Sequence, residues 1–329
     1  MSRLRLVLFV FVASLAVGLT LASAACGAGT PSPGGSGSTT TATSPSNSTT
    51  TSSPGSGTST SGPATSSTSL PAGAISHPTG ADEVVLRVST AGGLLAPLVA
   101  YTAVPEFTLY GDGRIVATGP TTQQYPQAAL PNLQTAVVSE QDIQAILAAA
   151  KEAGLFQNGV DYGQPGVADV GTTTITVNAD GMAYTSQIYA LGFEDASGLT
   201  AQQQQARAAV GDFTGKLGDP SAITGNQAAW EPYDFSALAV YSRPVDTTAS
   251  TDQGGVQPNH LPWPLADLAA AGESLPAPGG LRKLVVTGDD LNLLKPLLDK
   301  ATQITLWKSG DTEYNLSFRP LLPDEPAAL

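Results

Sequence analysis

From Gly27 to Gly80 the chain is almost entirely Ser, Thr, Gly, Pro and Ala, and no Asp, Glu, Lys or Arg appears between Arg5 and Asp82. A tract with so little apolar surface cannot offset the entropy of ordering it, so it is expected to stay disordered. Any core must then be built from the roughly 250 residues that follow, enough for one large domain or two small ones. As a flexible chain the tract reaches on the order of 40 Å, taking about 5.5 Å times the square root of its length. Its Ser/Thr-Pro content suits an O-glycosylated stalk, and a passive spacer is the simplest use for it.

Ahead of this tract lies a short basic head, Arg3 and Arg5, then an apolar run from Leu6 to Ala25, then Cys26 and Gly27. That is the layout of an export signal ending at a processing site. It resembles a bacterial lipoprotein signal. Ala24, Ala25 and Gly27 match that pattern, whereas Ser23 stands where leucine is usual and Leu21 comes two places early. The resemblance implies that Cys26 takes a diacylglyceryl group and becomes the new N-terminus. Two rivals remain open: Ala22-Ser23-Ala24 is also an A-x-A site for ordinary signal peptidase, and about 20 apolar residues could span a bilayer uncut. A lone cysteine in an exported chain is unusual unless the thiol is modified. The expected location is therefore the extracytoplasmic face of the cell membrane, with the membrane as partner through the lipid. With no second cysteine the body has no disulfide and must hold together by packing.

Removing Arg3 and Arg5 from the 14 basic residues leaves 12 against 27 acidic ones, a net charge of −15 in the body. Nucleic acid, whose phosphates need basic partners, is not an expected ligand. Nor is a body lying flat on anionic lipid. An acidic exported domain suits cations or basic partners, although solubility alone accounts for the charge.

The expected organisation is a signal peptide over 1–25, the lipidated cysteine and tether over 26–80, and two α+β halves, 81–222 and 223–329, which could be one domain. Val84 to Val88 reads as a strand. Glu106 to Tyr110 and Arg114 to Ala117 read as a hairpin turning at Gly111-Asp112-Gly113. Ser139 caps a helix whose Ile143, Ile146, Leu147 and Ala150 share one face, with Gly154 as its stop. A second hairpin covers Thr172 to Val177 and Met182 to Ala190. Thr200 caps a second helix running to Leu217. A strand near Leu238 to Ser242 precedes a Pro/Gly-rich loop over Arg243 to Pro264, a short helical turn near Leu265 to Ala271 and a strand at Arg282 to Val286. A third helix begins at Thr287 to Asp290, weakened or kinked by Pro296. Ile304 to Lys308 and Glu313 to Arg319 form the last hairpin. The fold class is α+β, antiparallel hairpins packed with about three helices.

Val137 to Ile143 and Val285 to Leu291 align at an offset of about 148 residues, and Ile146 then matches Leu294. A strand-helix-hairpin unit used twice would explain the match. Three blocks add to this picture: Pro105 to Arg114, Asp161 to Asp169 running into Thr172-Thr173-Thr174, and Phe318 to Pro326. Together they resemble a family of uncharacterised exported lipoproteins from high-GC Gram-positive bacteria. The resemblance implies an envelope location and one architecture, and carries no chemistry with it.

Catalytic motifs are missing from the body. It has no cysteine, two histidines in the chain (His77 and His260), no H-E-x-x-H and no G-x-S-x-G. Gly211 to Lys216 looks faintly like a phosphate loop, but its spacing is short and Leu217 replaces the hydroxyl. Oxygen ligands are more available in the Gly/Pro-shaped segment holding Asp161, Tyr162 and Asp169, where acids capping turns are the simpler explanation. Trp230, Tyr233, Trp263 and Trp307 sit beside loops or strand ends, where they serve either as exposed stacking platforms or as core fillers, with burial favoured for Trp307. The expectation is a binding protein with no cofactor, contacting an envelope protein or cell-wall polymer through Asp161, Tyr162, Asp169 and Trp263. A carboxylate hydrolase, with or without a metal, and a purely structural spacer are the alternatives.

Overall fold

In the computed structural model residues 73–193, 197–246 and 255–327 are described, and among them thirteen strands and five helices form an α+β fold. Cys26, the export signal and most of the tether lie outside the described residues. In chain order the first part contains β1 (Val84–Ala91), α1 (Pro97–Thr102), β2 (Phe107–Tyr110), β3 (Arg114–Thr118), β4 (Leu133–Val137), α2 (Glu140–Glu152), β5 (Thr172–Ala179), β6 (Met182–Tyr189), α3 (Ala201–Leu217), α4 (Ser221–Thr224) and β7 (Glu231–Pro232). Its seven strands pair antiparallel in the order β6-β5-β1-β2-β3-β4-β7. The second part contains β8 (Ala237–Pro244), β9 (His260–Pro262), β10 (Glu273–Ser274), β11 (Arg282–Thr287), α5 (Gly288–Leu298), β12 (Leu306–Ser309) and β13 (Thr312–Pro320). These strands form a six-stranded sheet, β10-β11-β8-β13-β12-β9, mixed because β9 runs parallel to β12.

Local chemistry sets the first sheet. The β2–β3 turn uses Gly113 at φ +85°, and a Cβ there would lie 2.4 Å from the Val138 carbonyl oxygen, so glycine is required. Ser139 and Asp142 form a capping box on α2, and Thr200 and Gln203 form another on α3. The apolar face of α2 (Ile143, Ile146, Leu147 and Ala150) packs on Leu86, Leu109, Ile115 and Val177 of the strands. In the second sheet Leu291, Leu294 and Leu298 of α5 pack on Leu238, Val240, Trp307 and Phe318. Ile146 and Leu294, matched in the sequence alignment, are both fully buried.

Each half thus follows the order strand, helix, hairpin, but the wiring differs. In the first half β5, the leading strand of its hairpin, pairs with the central strand β1. In the second it is β13, the trailing strand, that pairs with β8. Three strands separate β4 from its hairpin, whereas β8 alone separates β11 from β13. Helix α5 runs through Pro296 to Leu298, since a proline in the last turn removes one hydrogen bond without ending the packed face. The helical turn expected at 265–271 is a single turn, closed by Ala270 and Ala271 N–H groups on the Asp267 carbonyl.

The reverse faces of the two sheets are joined by the segment after β13. Leu322 packs with Tyr110, Val116 and Leu133 of the first sheet, while Leu321 packs with Ala237, Ala239 and Tyr241 of the second. Asp324 accepts from Arg87 at 2.6 Å and from the Tyr110 hydroxyl at 2.8 Å. Burial favours the neutral acid at Asp324, but these two hydrogen bonds outweigh it and hold the carboxyl below the ordinary carboxylate range. Burial, reinforced by Asp324, raises the Tyr110 hydroxyl, and burial pushes Tyr233 up to about 12, so both stay protonated donors. Tyr233 donates to the Leu321 carbonyl, and Arg319 grips Glu325 through both guanidinium ends at 3.0 and 2.6 Å. This strap carries the Phe318 to Pro326 block.

Composition ends the tether at Gly80, but the last residues before that point are docked. Ile75 exchanges two hydrogen bonds with the Gln144 amide, both at 2.8 Å, and packs against the first core. Asp180 N–H donates to the Ser76 carbonyl, and the His77 ring meets Glu140 at 3.1 Å. An isoleucine and a histidine give this stretch partners that Ser, Thr and Gly alone lack.

Candidate functional site

The Asp161 to Asp169 segment crosses from the end of the first core to β5, and beside it opens a polar groove of about 520 Å³. Strand β6 contributes Gln187 and Tyr189, helix α3 contributes Gln203, and the segment itself contributes Asp161, Tyr162 and Gln164. The rim is well ordered by its own hydrogen bonds. Asp161 accepts from the Gly163 N–H and from the Gln203 amide, each at 2.9 Å, while Gln203 also completes the α3 capping box. Tyr189 donates to the Val167 carbonyl at 2.9 Å. Gln164 and Gln187 remain exposed, with their amides directed to no protein partner among the described residues.

Beneath the groove lies a buried cation. Arg207, 7 % exposed, donates to the backbone carbonyls of Tyr162, Tyr189 and Ala190, at 3.5, 2.8 and 2.6 Å. Burial lowers its pKa, and the three carbonyls supply the polar partners that a buried guanidinium requires. Arg207 therefore ties α3, the segment and the end of β6 into one unit.

The expected site residues separate. Asp161 and Tyr162 meet at the groove, although Tyr162 is 4 % exposed, its hydroxyl 3.1 Å from Ser186 Oγ. Asp169 does not line the groove; it adopts φ +59°, which Asp tolerates, and its carbonyl accepts from Leu94. Trp263 is not an exposed platform. It is 7 % exposed in the second core, edge-on to Trp307 at 5.9 Å, with its indole N–H on the Ala266 carbonyl. Proline-rich flanks made it look like a surface loop, but β9 pairs beside β12 and turns the ring inward.

Sequence reasoning missed Gln187, Tyr189 and Gln203. The T-x-x-Q spacing of Thr200 and Gln203 marks a helix start, but only the fold brings that glutamine against Asp161. Gly211 to Lys216 is helical, with Lys216 paired to Asp212 at 2.7 Å. His260 is exposed and paired with Glu313 at 2.7 Å. Among the described residues no group of three or more His, Cys, Asp or Glu converges to hold a metal, and Asp161 is the one carboxylate in the groove lining. No family model matches this chain, and neither does any curated protein or solved structure.

Proposed function

We propose that this is an exported protein, held at the outer face of the cell membrane by a lipid on Cys26, whose body binds a hydroxyl- and amide-rich cell-wall polymer in the Asp161 groove. The observation that carries this reading is the groove itself: carboxamides, a phenol and one carboxylate around about 520 Å³, with Gln164 and Gln187 unengaged. Such groups match sugar hydroxyls and acetamido groups by hydrogen bonding, and Arg207 keeps them in fixed relation. Hydrolysis of a glycoside needs two carboxylates flanking the bond, and the groove lining offers one. The long uncharged tether gives such a body reach into a wall layer.

The test is calorimetric titration of the full chain in detergent with N-acetylglucosamine oligomers and soluble wall fragments. A Gln164→Ala/Gln187→Ala double variant is expected to bind at least tenfold more weakly. Unchanged affinity would move binding away from the groove, and no binding of any wall fragment would leave the tethered spacer. Cys26→Ser is expected to shift the protein from the membrane to the soluble fraction. If it stayed in the membrane, the Leu6 to Ala25 segment would be the anchor.

A further inference from the structure

A second opening lies against the same sheet, at the other end of α3. It has a volume of about 480 Å³ and is walled by Val88, Phe107, Ala117, Leu217 and the half-buried Trp230. Cavities of this size with mainly apolar and aromatic walls and a few polar groups are the usual form of small-molecule sites. Glu106 and Gln134 stand among the lining residues. One Glu106 oxygen accepts the Thr90 N–H at 3.1 Å; the other, and the Gln134 amide, have no protein partner among the described residues. Thr214, by contrast, spends its hydroxyl on the Val210 carbonyl.

The space is kept open by glycine. Gly215 occupies the last turn of α3, where alanine would favour the helix, and a Cβ there would meet nothing within 4 Å. No cation lines the cavity, so Glu106 is its sole charge, and the body around it carries a net charge of −15. Glu106 is exposed to solvent, so its charge favours a cation over an anion without the strength of a buried pair. A cation with an aromatic body gains both the Glu106 charge and contact with the Trp230 ring.

We propose that this cavity is a binding site for a small aromatic amine, its ring against Trp230 and its ammonium group on Glu106. The site is separate from the Asp161 groove and does not depend on a wall polymer binding there.

The experiment uses three probes of one shape: 4-phenylbutylamine, 4-phenylbutanol and 4-phenylbutyrate, titrated into the full chain by calorimetry and by tryptophan emission. Trp263 and Trp307 are buried in the other core, so a change in emission reports Trp230. The amine is expected to bind at least tenfold more tightly than the alcohol, with no saturation by the carboxylate. Glu106→Gln is expected to equalise amine and alcohol. Gly215→Leu, which fills the space from an unobstructed position, is expected to abolish binding of all three. Trp230→Ala, read by calorimetry, gives the same loss if Gly215→Leu does not fold. No saturable binding of the amine, equal affinities for the three probes, or amine binding that survives both the filling and the Trp230 variants would each overturn the site.

Discussion

The two halves share a strand, helix, hairpin stretch and fill their interiors differently. Helix α2 packs mainly on aliphatic strand residues, Leu86, Leu109, Ile115 and Val177. Helix α5 packs on a core containing a run of rings, Trp263 edge-on to Trp307 at 5.9 Å and Trp307 edge-on to Phe318 at 5.6 Å. Interlocked rings fix the second sheet from within. The first sheet instead carries openings at both ends of α3, the groove at Gln203 and the cavity at Gly215. At 1.5 Å rise per residue these positions are roughly 18 Å apart along the helix. Bulk secures one half, and the other keeps open volume beside α3.

The largest effect should come from removing the centre of the aromatic run. Trp307 is fully buried, and Trp307→Ala is expected to cost about 4 kcal/mol in chemical unfolding. If the loss were under about 1 kcal/mol, the rings would not be what holds the second half. Next in size is the joint between the halves. Asp324→Ala strands Arg87 and Tyr110 and is expected to cost about 3 kcal/mol near pH 7, splitting one unfolding transition into two. The folded Asp324 carboxyl titrates below its ordinary value of 3.8, so its contribution is complete above that pH and is lost as pH falls toward the depressed folded value. Asp324→Asn should lack this loss in an acid titration; a parallel acid response in both proteins would assign it to other groups.

Helix starts give a finer contrast. Ser139 and Thr287 occupy matching positions in the alignment, yet Ser139 accepts from the Asp142 N–H while Thr287 makes no capping bond. Gly288 at φ +56° turns the chain away from the geometry a side-chain cap needs. Ser139→Ala is expected to lower stability by about 1 kcal/mol and Thr287→Ala by a few tenths. Equal costs would erase the distinction. One effect runs the other way: Gly215→Ala should stabilise by roughly 0.5–1 kcal/mol in thermal unfolding, because α3 gains a better helix former where nothing obstructs it. A lower midpoint would mean the open space at Gly215 is not open.

Elements with local signatures were legible in the sequence. Capping residues mark α2 and α3, with an apolar stripe behind the first, and glycine turns between alternating strands mark the β2–β3, β5–β6 and β12–β13 hairpins. Short edge strands such as β7, β9 and β10 were not, since two or three residues carry no period and are set by a neighbour's free edge. Helix α1, six residues with an uncapped start, gives an equally weak signal. The candidate site was legible only in part. Asp161 and Tyr162 stand in a recognisable Gly/Pro segment, but Gln187 and Gln203 reach it from a strand and a helix whose meeting is a property of packing. The burial of Trp263 was not legible for a related reason: its flanking prolines describe the backbone, and burial was decided by pairing with β12.

The Arg87–Asp324 bond closes a loop between residues 237 apart in the sequence. A chain made at about 5–20 residues per second therefore exposes Arg87 for roughly 10–50 s before its partner exists. Until then the reverse face of the first sheet lacks Leu322 as well, and the sheet waits with a charged, unsealed back. The joint between the halves therefore cannot form until the strands of both sheets have been made.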